Sequence, residues 1–503
     1  MMEPQILAVI DTGIIFAVMT STIIIGFVSY RAGKTLTGFI FANRTLGSWL
    51  LAFSIMATYF SAASFLGGGG ATYLYNLGFG AWLTAWHVIG VVTLWIAVAG
   101  RLFNYISKTN VMSIPELMEH RYGSRVVRTI AAIIITVLFS IYLVSVYKGG
   151  AIILSTQLGL SLGLAMLILA LPVTIYIVVG GLKAAAINNL FLGLLMLVAA
   201  ALTFSYIMLQ IGDPIKGIEE LSRLNILNRS GTLWLKLDGM GPPPAMEKNM
   251  VPMLIMSIAF SIGMSQIALP NLLIHFYAAK DHKAVSRGRV IGPILVALYA
   301  ILMFSLGAFC HLILDHRLSV KEIAQLMRDT DWVIPKTISL ITPLGVRGFI
   351  FAAPIAASMS TIALTVLTLS NTLLRDVVQP ISKVKNERAL LYIAKVIAVA
   401  FALIPIPIAM IENRIIIDIV GASFGTIFAC FAGPVAIGLY WDKASREGAI
   451  ASMVSGAVVG IVWYIYLYRT TWIYPTIPAT AVALALFIAL SLVSNRLRKE
   501  VAS

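Results

Sequence analysis

The chain has 503 residues, of which 59% are hydrophobic and 11% charged, and its mean hydropathy is +0.94. Charged residues make up about a quarter of an ordinary soluble domain, so this composition excludes one. The length allows a dozen or more membrane spans of about 20 residues each, so the net charge of +15 concerns which side of a bilayer the basic residues occupy and does not indicate nucleic acid.

Long apolar segments follow one another along the whole chain. The first, about residues 6–30, is too long for a signal-peptide core and has no basic segment before it, so we predict a retained span. Two cysteines, Cys310 and Cys430, lie in apolar stretches without metal-ligand spacing. Thirteen spans are predicted, centred near Phe16, Tyr59, Val91, Val137, Leu167, Met196, Ile262, Tyr299, Ser358, Val399, Thr426, Gly460 and Ala485.

The connections between these spans alternate in basic content. The connection after the third span is typical of the basic set, with Arg101, Lys108, Arg121, Arg125 and Arg128. The opposite set includes two longer stretches, about residues 212–249 and 315–347, in which basic and acidic residues are mixed. Basic connections lie on the cytoplasmic side of a membrane, so an odd number of spans predicts an outside N-terminus and a cytoplasmic C-terminus.

Two spans carry signals for an interrupted helix. The second contains Ser61 and Ser64 followed by four glycines, Gly67–Gly70, each of which weakens a helix by about 1 kcal/mol. In the seventh, Gly263 and Pro270 bracket Ser265 and Gln266. Broken backbone at membrane depth occurs where it lines a cavity or is covered by protein. The alternative is that the glycines serve close helix packing alone.

The spacing of the two interrupted spans predicts the architecture. They lie five spans apart, and because five is odd, two five-helix halves would have opposite orientations, with a binding site near the bilayer midplane. We therefore predict an all-α membrane protein with a 5+5 inverted repeat and discontinuous helices. Its predicted parts are residues 1–46 (an extra helix and a cytoplasmic loop), 47–210 and 250–441 (the two halves), 211–249 (an extracellular loop) and 442–503 (two helices and a cytoplasmic tail).

The ninth span presents a stripe of small and hydroxyl-bearing residues. Ala357, Ser360 and Thr361 fall at i, i+3 and i+4 and therefore share one helix face. A backbone carbonyl and two hydroxyl oxygens are suitable ligands for a hard cation. The alternative is a helix-packing seam, because tight membrane interfaces use the same small residues.

Five motifs in order along the chain carry a resemblance to a known family. They are Ala57–Gly67 (ATYFSAASFLG), Ser113–Gly123 (SIPELMEHRYG), Gly180–Ala184 (GGLKA), Ala356–Thr361 (AASMST) and Gly438–Trp441 (GLYW). With them the chain resembles the sodium/solute symporter family, over about residues 47–449. That family includes pantothenate, proline, monocarboxylate and sodium/glucose carriers. The ATYFS opening looks most like the pantothenate branch.

The resemblance implies a sodium site and a functional monomer. The five ligands of this sodium site would be the backbone oxygens of Ala57, Phe60 and Ala357 and the hydroxyls of Ser360 and Thr361. This chain departs from the family pattern at four positions: Tyr59 stands where the proline branch has Asp, and Asn189, Leu192 and Ala363 replace an acidic residue, a Gln and an Asp found in many members. We therefore expect one sodium ion per solute.

The predicted solute pocket contains one positive charge. Its residues are Tyr59, Ser61, Ser64, Lys148, Ser265 and Gln266. An ionisable residue within a span indicates function, so Lys148 would neutralise a carboxylate substrate or take over part of the cation's role. The alternative is that Lys148 lies near the outer end of its span and reaches water. We interpret His87 as a satisfied core histidine.

The resulting hypothesis is a Na⁺-coupled symporter of the plasma or inner membrane that imports a small organic solute by alternating access. A carboxylate such as pantothenate or a monocarboxylate is favoured, and a proline-like amino acid is the alternative. A membrane-embedded enzyme would need convergent acidic, His or Cys groups near one membrane face, which six histidines and few carboxylates do not favour. The sequence contains no repeated filter motif of the kind that a channel would need. A transporter-like sensor is an alternative that the sequence leaves open.

We interpret Glu116, Glu119, His120 and Arg121 as an inner-face salt-bridge network.

Overall fold

The structure, a computed structural model, describes residues 4–109, 111–223, 225–226, 229–230, 251–382, 384–411 and 416–502. Most of the predicted extracellular loop 211–249 lies outside the described residues. Two short strands pair antiparallel within this loop, β1 (Asn225–Ile226) and β2 (Arg229–Ser230). Helices make up nearly all the remainder of the described chain, as the sequence predicts.

The helices before residue 224 contain most of the first predicted half. They are α1 (Pro4–Val28), α2 (Leu36–Phe41), α3 (Ser48–Tyr59), α4 (Gly69–Thr93), α5 (Gly100–Thr109), α6 (Ile114–Tyr122), α7 (Arg125–Leu158), α8 (Leu162–Ile211) and α9 (Pro214–Arg223). Wider π-helical turns join some of them, at Ala63–Gly68 between α3 and α4 and at Leu94–Ala99 between α4 and α5. Short 3₁₀ turns, Ala32–Lys34 and Ala42–Arg44, flank α2.

The second part of the chain is built in the same way. Its helices are α10 (Val251–Ser265), α11 (Pro270–Tyr277), α12 (His282–Phe304), α13 (Leu306–Leu314), α14 (Val320–Arg328), α15 (Val333–Ile341), α16 (Val346–Thr372), α17 (Gln379–Ser382), α18 (Glu387–Leu403), α19 (Pro405–Ile411), α20 (Ile416–Phe431), α21 (Arg446–Val462), α22 (Tyr468–Thr471) and α23 (Thr476–Ala502). A 3₁₀ turn, Thr330–Trp332, joins α14 to α15. Three π-helical turns, Leu373–Val378, Ala432–Ile437 and Trp463–Leu467, extend α16, α20 and α21.

Eleven helices in the described residues are long and apolar enough to cross a membrane. Two of them are unusually long, Ala63–Thr109 with 47 residues and Leu162–Ile211 with 50. A straight helix of 50 residues would extend about 75 Å, more than twice the hydrocarbon thickness of about 30 Å. Each is interrupted by one residue with non-helical backbone, Asn76 (φ 69°) and Gly181 (φ 58°). If each counts as two spans, the number becomes the thirteen that the sequence predicts; this number and the inverted repeat stay predictions.

The interruption of α8 lies against α2, in the loop that follows the first helix. Gly181 has a positive φ, and a Cβ at this position would overlap the backbone of Phe39 in α2. A glycine is therefore required twice over, by its backbone conformation and by the close approach of α2. This explains why the GGLKA motif follows the fifth predicted span.

The centre of the protein is α16, which is buried at every residue from Ile350 to Thr372. It packs against α1, α3, α7 and α8. Its N-terminus is held by Asp11 of α1, whose carboxylate accepts hydrogen bonds from the backbone N–H groups of Gly345 (2.7 Å) and Gly348 (2.9 Å) and from Nε of Arg347 (2.7 Å). A carboxylate is favourable at a helix N-terminus, so the extra N-terminal helix fixes the central one.

Where α4 crosses α10, the two backbones touch. A Cβ at Gly90 would overlap the carbonyl oxygen of Gly263, and a Cβ at Gly263 would overlap the backbone of Trp86. Small residues at such crossings let membrane helices approach closely. This contact holds the second interrupted helix beside α4.

We predict that Gly90→Ala destabilises the protein by about 1–3 kcal/mol, because the added methyl group forces the two helices apart. The measurement is the thermal unfolding midpoint of the purified protein in detergent. Gly13→Ala is the matched control, since a Cβ at Gly13 meets nothing within 4 Å and alanine is the better helix former. Equal midpoints for Gly90→Ala and the parent protein would contradict the close crossing.

Candidate functional site

The first interrupted helix breaks directly after α3. Tyr59 is its last residue, Phe60 has extended backbone (φ −82°, ψ 114°), and the chain re-enters a helical turn at Ala63. Ser61 stabilises this re-entry, because its Oγ accepts a hydrogen bond from the backbone N–H of Ala63 at 3.1 Å. The break is therefore present but lies before the four glycines, which are helical; the glycine run was the wrong place to expect it.

The second interrupted helix breaks as the sequence predicts. Helix α10 ends at Ser265, a turn follows, and α11 begins with Pro270 in its first turn. Proline is favoured at this position, because an N–H in the first turn would have no partner within the helix and the φ of proline is already helical. Neither stretch is a continuous helix.

The two breaks are tied to each other. Tyr59 Oη donates to the carbonyl of Ile262 (2.9 Å), and Gln266 Nε2 donates to the carbonyls of His87 (2.8 Å) and Gly263 (3.0 Å). The last carbonyls of a helix have no partner within the helix. Side chains from the first break and from the turn itself thus satisfy carbonyls at the end of α10.

The hydroxyl stripe of α16 lies on the end of α3. Ser360 Oγ donates to the carbonyl of Ala57 (2.6 Å) and lies 3.0 Å from the carbonyl oxygen of Ala357, while Thr361 Oγ1 donates to the carbonyl of Thr58 (3.0 Å). Ala57, Ala357, Ser360 and Thr361 are all 0% exposed. The stripe therefore faces protein and not acyl chains.

This arrangement fits a hard monovalent cation. Ser360 Oγ, one of the five oxygens implied by the resemblance, lies within hydrogen-bonding distance of two others, the carbonyl oxygens of Ala57 and Ala357. The carbonyl end of a helix is the negative end of its dipole, so the C-terminus of α3 attracts positive charge. A cation there would replace the hydroxyl protons as the partner of these carbonyls. The role of the five residues as ligands stays a prediction.

A second polar cluster lies behind the hydroxyl stripe. Asn189 Nδ2 donates to Thr58 Oγ1 (2.9 Å) and to Ser54 Oγ (3.1 Å), and His275 Nε2 lies 2.8 Å from Ser54 Oγ. All four side chains are buried. From the sequence, Asn189 was recognised only as a departure from the family pattern, and Ser54 and His275 were not recognised. The signal that could have identified them is the presence of polar residues within otherwise apolar spans.

A cavity with about 380 Å³ of empty space lies beside the first break. It is lined by Tyr59, Phe60, Ser61, Ala63, Ser64, Gly68, Leu83, His87, Tyr142, Ile262, Phe304, Ile417, Val420 and Phe424. Most of these side chains are apolar or aromatic, with a few hydroxyl groups, which is typical of small-molecule sites. Among the described residues that line the cavity, none is Asp, Glu, Lys or Arg.

The predicted solute residues divide into two groups. Tyr59, Ser61 and Ser64 line this cavity, whereas Lys148, Ser265 and Gln266 are not among its lining residues. Ser265 Oγ donates to the carbonyl of Ile262 (2.6 Å) within its own helix, and Lys148 Nζ lies 3.4 Å from Asp331 Oδ2. A solute-binding role for all six residues stays a prediction.

His87 is placed as the sequence analysis predicts for a core histidine. Its Nδ1 lies 2.6 Å from the carbonyl oxygen of Leu83, and its ring stacks on Phe60 with the two centroids 5.7 Å apart. It also lines the cavity, which the sequence did not indicate.

Of the four residues predicted to form an inner-face salt-bridge network, only Glu119 forms ion pairs in the described residues. For the other three the prediction is wrong: Glu116 accepts from the backbone N–H of Met112 (2.7 Å), His120 Nδ1 lies 2.7 Å from Tyr105 Oη, and Arg121 donates to the carbonyls of Gly438 (2.9 Å) and Trp441 (2.8 Å). Arg128 of α7 contacts Glu119 of α6 (2.6 Å) and Asp376 (2.7 Å), and Ser113 Oγ donates to Asp376 (2.8 Å). Asp376 lies in the π-helical turn that extends α16. The network therefore joins α6, α7 and the end of α16.

Residues 39–456 match the sequence model of the sodium:solute symporter family. The match covers most of the chain, so the protein belongs to the sodium:solute symporter family. Membership makes sodium the coupling ion and identifies the chain as a multi-pass membrane transporter for a small solute, not an enzyme.

Three curated relatives show which kinds of carrier within this family the chain is similar to. The chain is 29% identical to the sodium/pantothenate symporter of Haemophilus influenzae over 441 residues, covering 86% of this chain and 85% of the relative. It is 27% identical to the sodium/pantothenate symporter of Escherichia coli over 484 residues, 94% of each. It is 24% identical to the high-affinity proline transporter PutP of Bacillus subtilis over 474 residues, covering 92% of this chain and 93% of the relative.

Solved structures share the fold. A Na⁺-coupled sialic acid symporter in a substrate-bound outward-open state has a TM-score of 0.76 and 16% identity, covering 96% of this chain and 98% of that one. Mhp1, a nucleobase-cation-symport-1 family transporter in a closed conformation, has a TM-score of 0.54 and 13% identity, covering 91% and 95%. At these identities the likeness concerns the fold alone.

We predict that Ser360→Ala and Thr361→Ala each raise the sodium concentration needed for half-maximal stabilisation of the purified protein at least about tenfold, the equivalent of roughly 1.4 kcal/mol. A ligand that binds only the folded state raises its unfolding midpoint, so sodium should do so in the parent protein, with choline as the control ion. Thr368→Ala is the matched variant, because Thr368 Oγ1 bonds within its own helix to Leu364 (2.7 Å). Parent-like sodium dependence in both Ser360→Ala and Thr361→Ala would refute the site.

Proposed function

We propose that this protein is a sodium-coupled symporter that imports a small carboxylate, with pantothenate as the first candidate. The observation that carries the proposal is the contact between the hydroxyl stripe of α16 and the open end of α3, directly beside the cavity that Ser61 and Ser64 line. Two relatives that align over 85–94% of their length are sodium/pantothenate symporters. Proline is the alternative, because further relatives of similar coverage transport it.

The geometry supplies a physical route for coupling. Ala57, a predicted sodium ligand, and Ser61 and Ser64, predicted solute contacts, lie within eight residues on the same interrupted segment. A cation held by Ala57 and Ser360 would fix this segment against α16 and with it the side chains that face the cavity. Coupling requires that sodium change the affinity for solute, typically by about 1–3 kcal/mol.

Lys148 supports an anionic solute. It is 6% exposed, and no other lysine or arginine in the described residues is buried to this extent. A buried charge in a membrane protein is expensive and marks a functional position. Here its ammonium contacts Asp331 and not the cavity, so contact with a solute requires a conformational change of the kind that alternating access supplies.

We further propose that the protein works as a monomer in the cell's plasma or inner membrane, with the N-terminus outside and the C-terminus in the cytoplasm. The proposed orientation follows from the basic connections, among them the stretch that supplies Arg125 and Arg128. We also propose that the cavity lies near the bilayer midplane and that residues 47–210 and 250–441 form two halves of opposite orientation.

The test is uptake into proteoliposomes of radiolabelled pantothenate, acetate, pyruvate, lactate and proline, each with and without an inward sodium gradient. We expect a sodium gradient to drive accumulation of pantothenate or a monocarboxylate. Accumulation of proline alone would replace the carboxylate by the alternative solute. Equal accumulation without sodium would contradict sodium coupling and favour a carrier in which Lys148 takes over part of the cation's role.

We predict that Lys148→Gln raises the apparent Michaelis constant for the transported carboxylate about tenfold or more, because an anion loses a charge-assisted contact worth at least roughly 1.4 kcal/mol. The measurement is the concentration dependence of initial uptake rates. Lys336→Gln is the matched control; Lys336 is a half-exposed lysine of α15 that pairs weakly with Glu322 (3.8 Å). An unchanged constant in Lys148→Gln would remove Lys148 from solute binding.

A further inference from the structure

A buried ion pair joins α7 to the turn between α14 and α15. Lys148 Nζ lies 3.4 Å from Asp331 Oδ2, and the two side chains are 7% and 1% exposed. Asp331 belongs to the 3₁₀ turn Thr330–Trp332, 183 residues away from Lys148 in the sequence. Asp331 lies in the connection of about residues 315–347, where the sequence shows mixed basic and acidic residues, and nothing in that pattern predicts its burial against a membrane-spanning helix.

Asp331 also reaches a helix that lines the cavity. Its Oδ2 accepts a hydrogen bond from the backbone N–H of Ile416 (3.1 Å), the first residue of α20. The next turns of α20 supply Ile417, Val420 and Phe424 to the cavity wall. The carboxylate therefore connects α7, the α14–α15 turn and the start of α20.

The glycine run brings the same turn onto the first interrupted segment. A Cβ at Gly70 would overlap the carbonyl oxygen of Thr330, and a Cβ at Gly67 would lie 3.2 Å from the backbone nitrogen of Ile416. Gly68 of this run lines the cavity. The glycines thus allow the α14–α15 turn and the start of α20 to approach the segment that lines the cavity.

We infer that Lys148 and Asp331 form a latch that closes the extracellular end of the cavity and separates when that end opens. The inference rests on the proposed function and orientation, which make the α14–α15 turn extracellular. In the latched state the pair holds the turn, α7 and α20 together above the cavity. In the open state the turn lifts away and Lys148 loses this carboxylate.

The two partners differ in how well each tolerates loss of the other. Burial raises the pKa of Asp331 to about 7, and the Lys148 ammonium acts in the opposite direction. Without the lysine, Asp331 can take up a proton and remain buried as a neutral acid. Without Asp331, the ammonium is a buried charge that has lost its carboxylate, and removing one partner of a buried pair is strongly unfavourable. Asp331→Asn should therefore open the latch more than Lys148→Met.

The experiment measures access to the cavity from outside. In a background with Cys310→Ser and Cys430→Ser, Ile417→Cys reports the cavity wall, and a membrane-impermeant thiol reagent is applied to intact cells. We expect Asp331→Asn to raise the labelling rate about tenfold by shifting the population toward the open state, and Lys148→Met to raise it less. The double variant should label at about the rate of Lys148→Met, because both lack the ion pair and neither keeps the buried ammonium.

Asp329→Asn is the control variant, because it removes a neighbouring carboxylate that accepts from Trp332 Nε1 (3.2 Å) and leaves both members of the ion pair in place. Asp331→Ser provides a second neutral replacement if Asp331→Asn does not reach the membrane. Unchanged labelling in the Asp331 variants, or equal acceleration by Asp329→Asn, would overturn the latch. Since labelling needs neither sodium nor a known solute, failure of the proposed transport activity would appear separately, in the uptake assay.

Discussion

The structure depends on how it satisfies backbone carbonyls that a broken helix exposes inside a membrane, where water cannot reach them. At the end of α3, the hydroxyls of Ser360 and Thr361 bind the carbonyls of Ala57 and Thr58. At the end of α10, the phenol of Tyr59 binds the carbonyl of Ile262. Each break is thus stabilised by a distant part of the chain. The hydroxyl groups that stabilise the first break are also predicted sodium ligands, so the prediction assigns both folding and ion binding to the same two residues.

Much of this architecture could be predicted from the sequence because membrane burial imposes strong local patterns. Pro270 marks the second break because proline cannot donate the hydrogen bond that a continuous helix needs. The glycine run Gly67–Gly70 was informative but misplaced the first break. Glycine permits a break and also permits close packing, and here the packing partners, Thr330 and Ile416, lie hundreds of residues away. Local propensity cannot separate these two uses.

The polar contacts of the site show the same limit. The spacing alone was enough to predict that Ser360 and Thr361 share one face of α16, because helical periodicity is local. The pairing of Asn189 with Thr58, or of Lys148 with Asp331, joins residues 131 and 183 positions apart, and such pairings follow from the fold and not from any local pattern. An isolated lysine in an apolar span indicated function, but its partner was hidden in a connection that is rich in charge for ordinary reasons.

The ion pairs of α7 lie on either side of a residue that lines the cavity. Arg128 pairs with Asp376 near one end of the helix and Lys148 pairs with Asp331 toward the other. Twenty residues separate the two basic side chains, which corresponds to about 30 Å along a helix, the thickness of the hydrocarbon core. Tyr142, between them, lines the cavity. Both basic partners lie on α7, so a movement of this helix relative to its neighbours would change the contacts of both pairs.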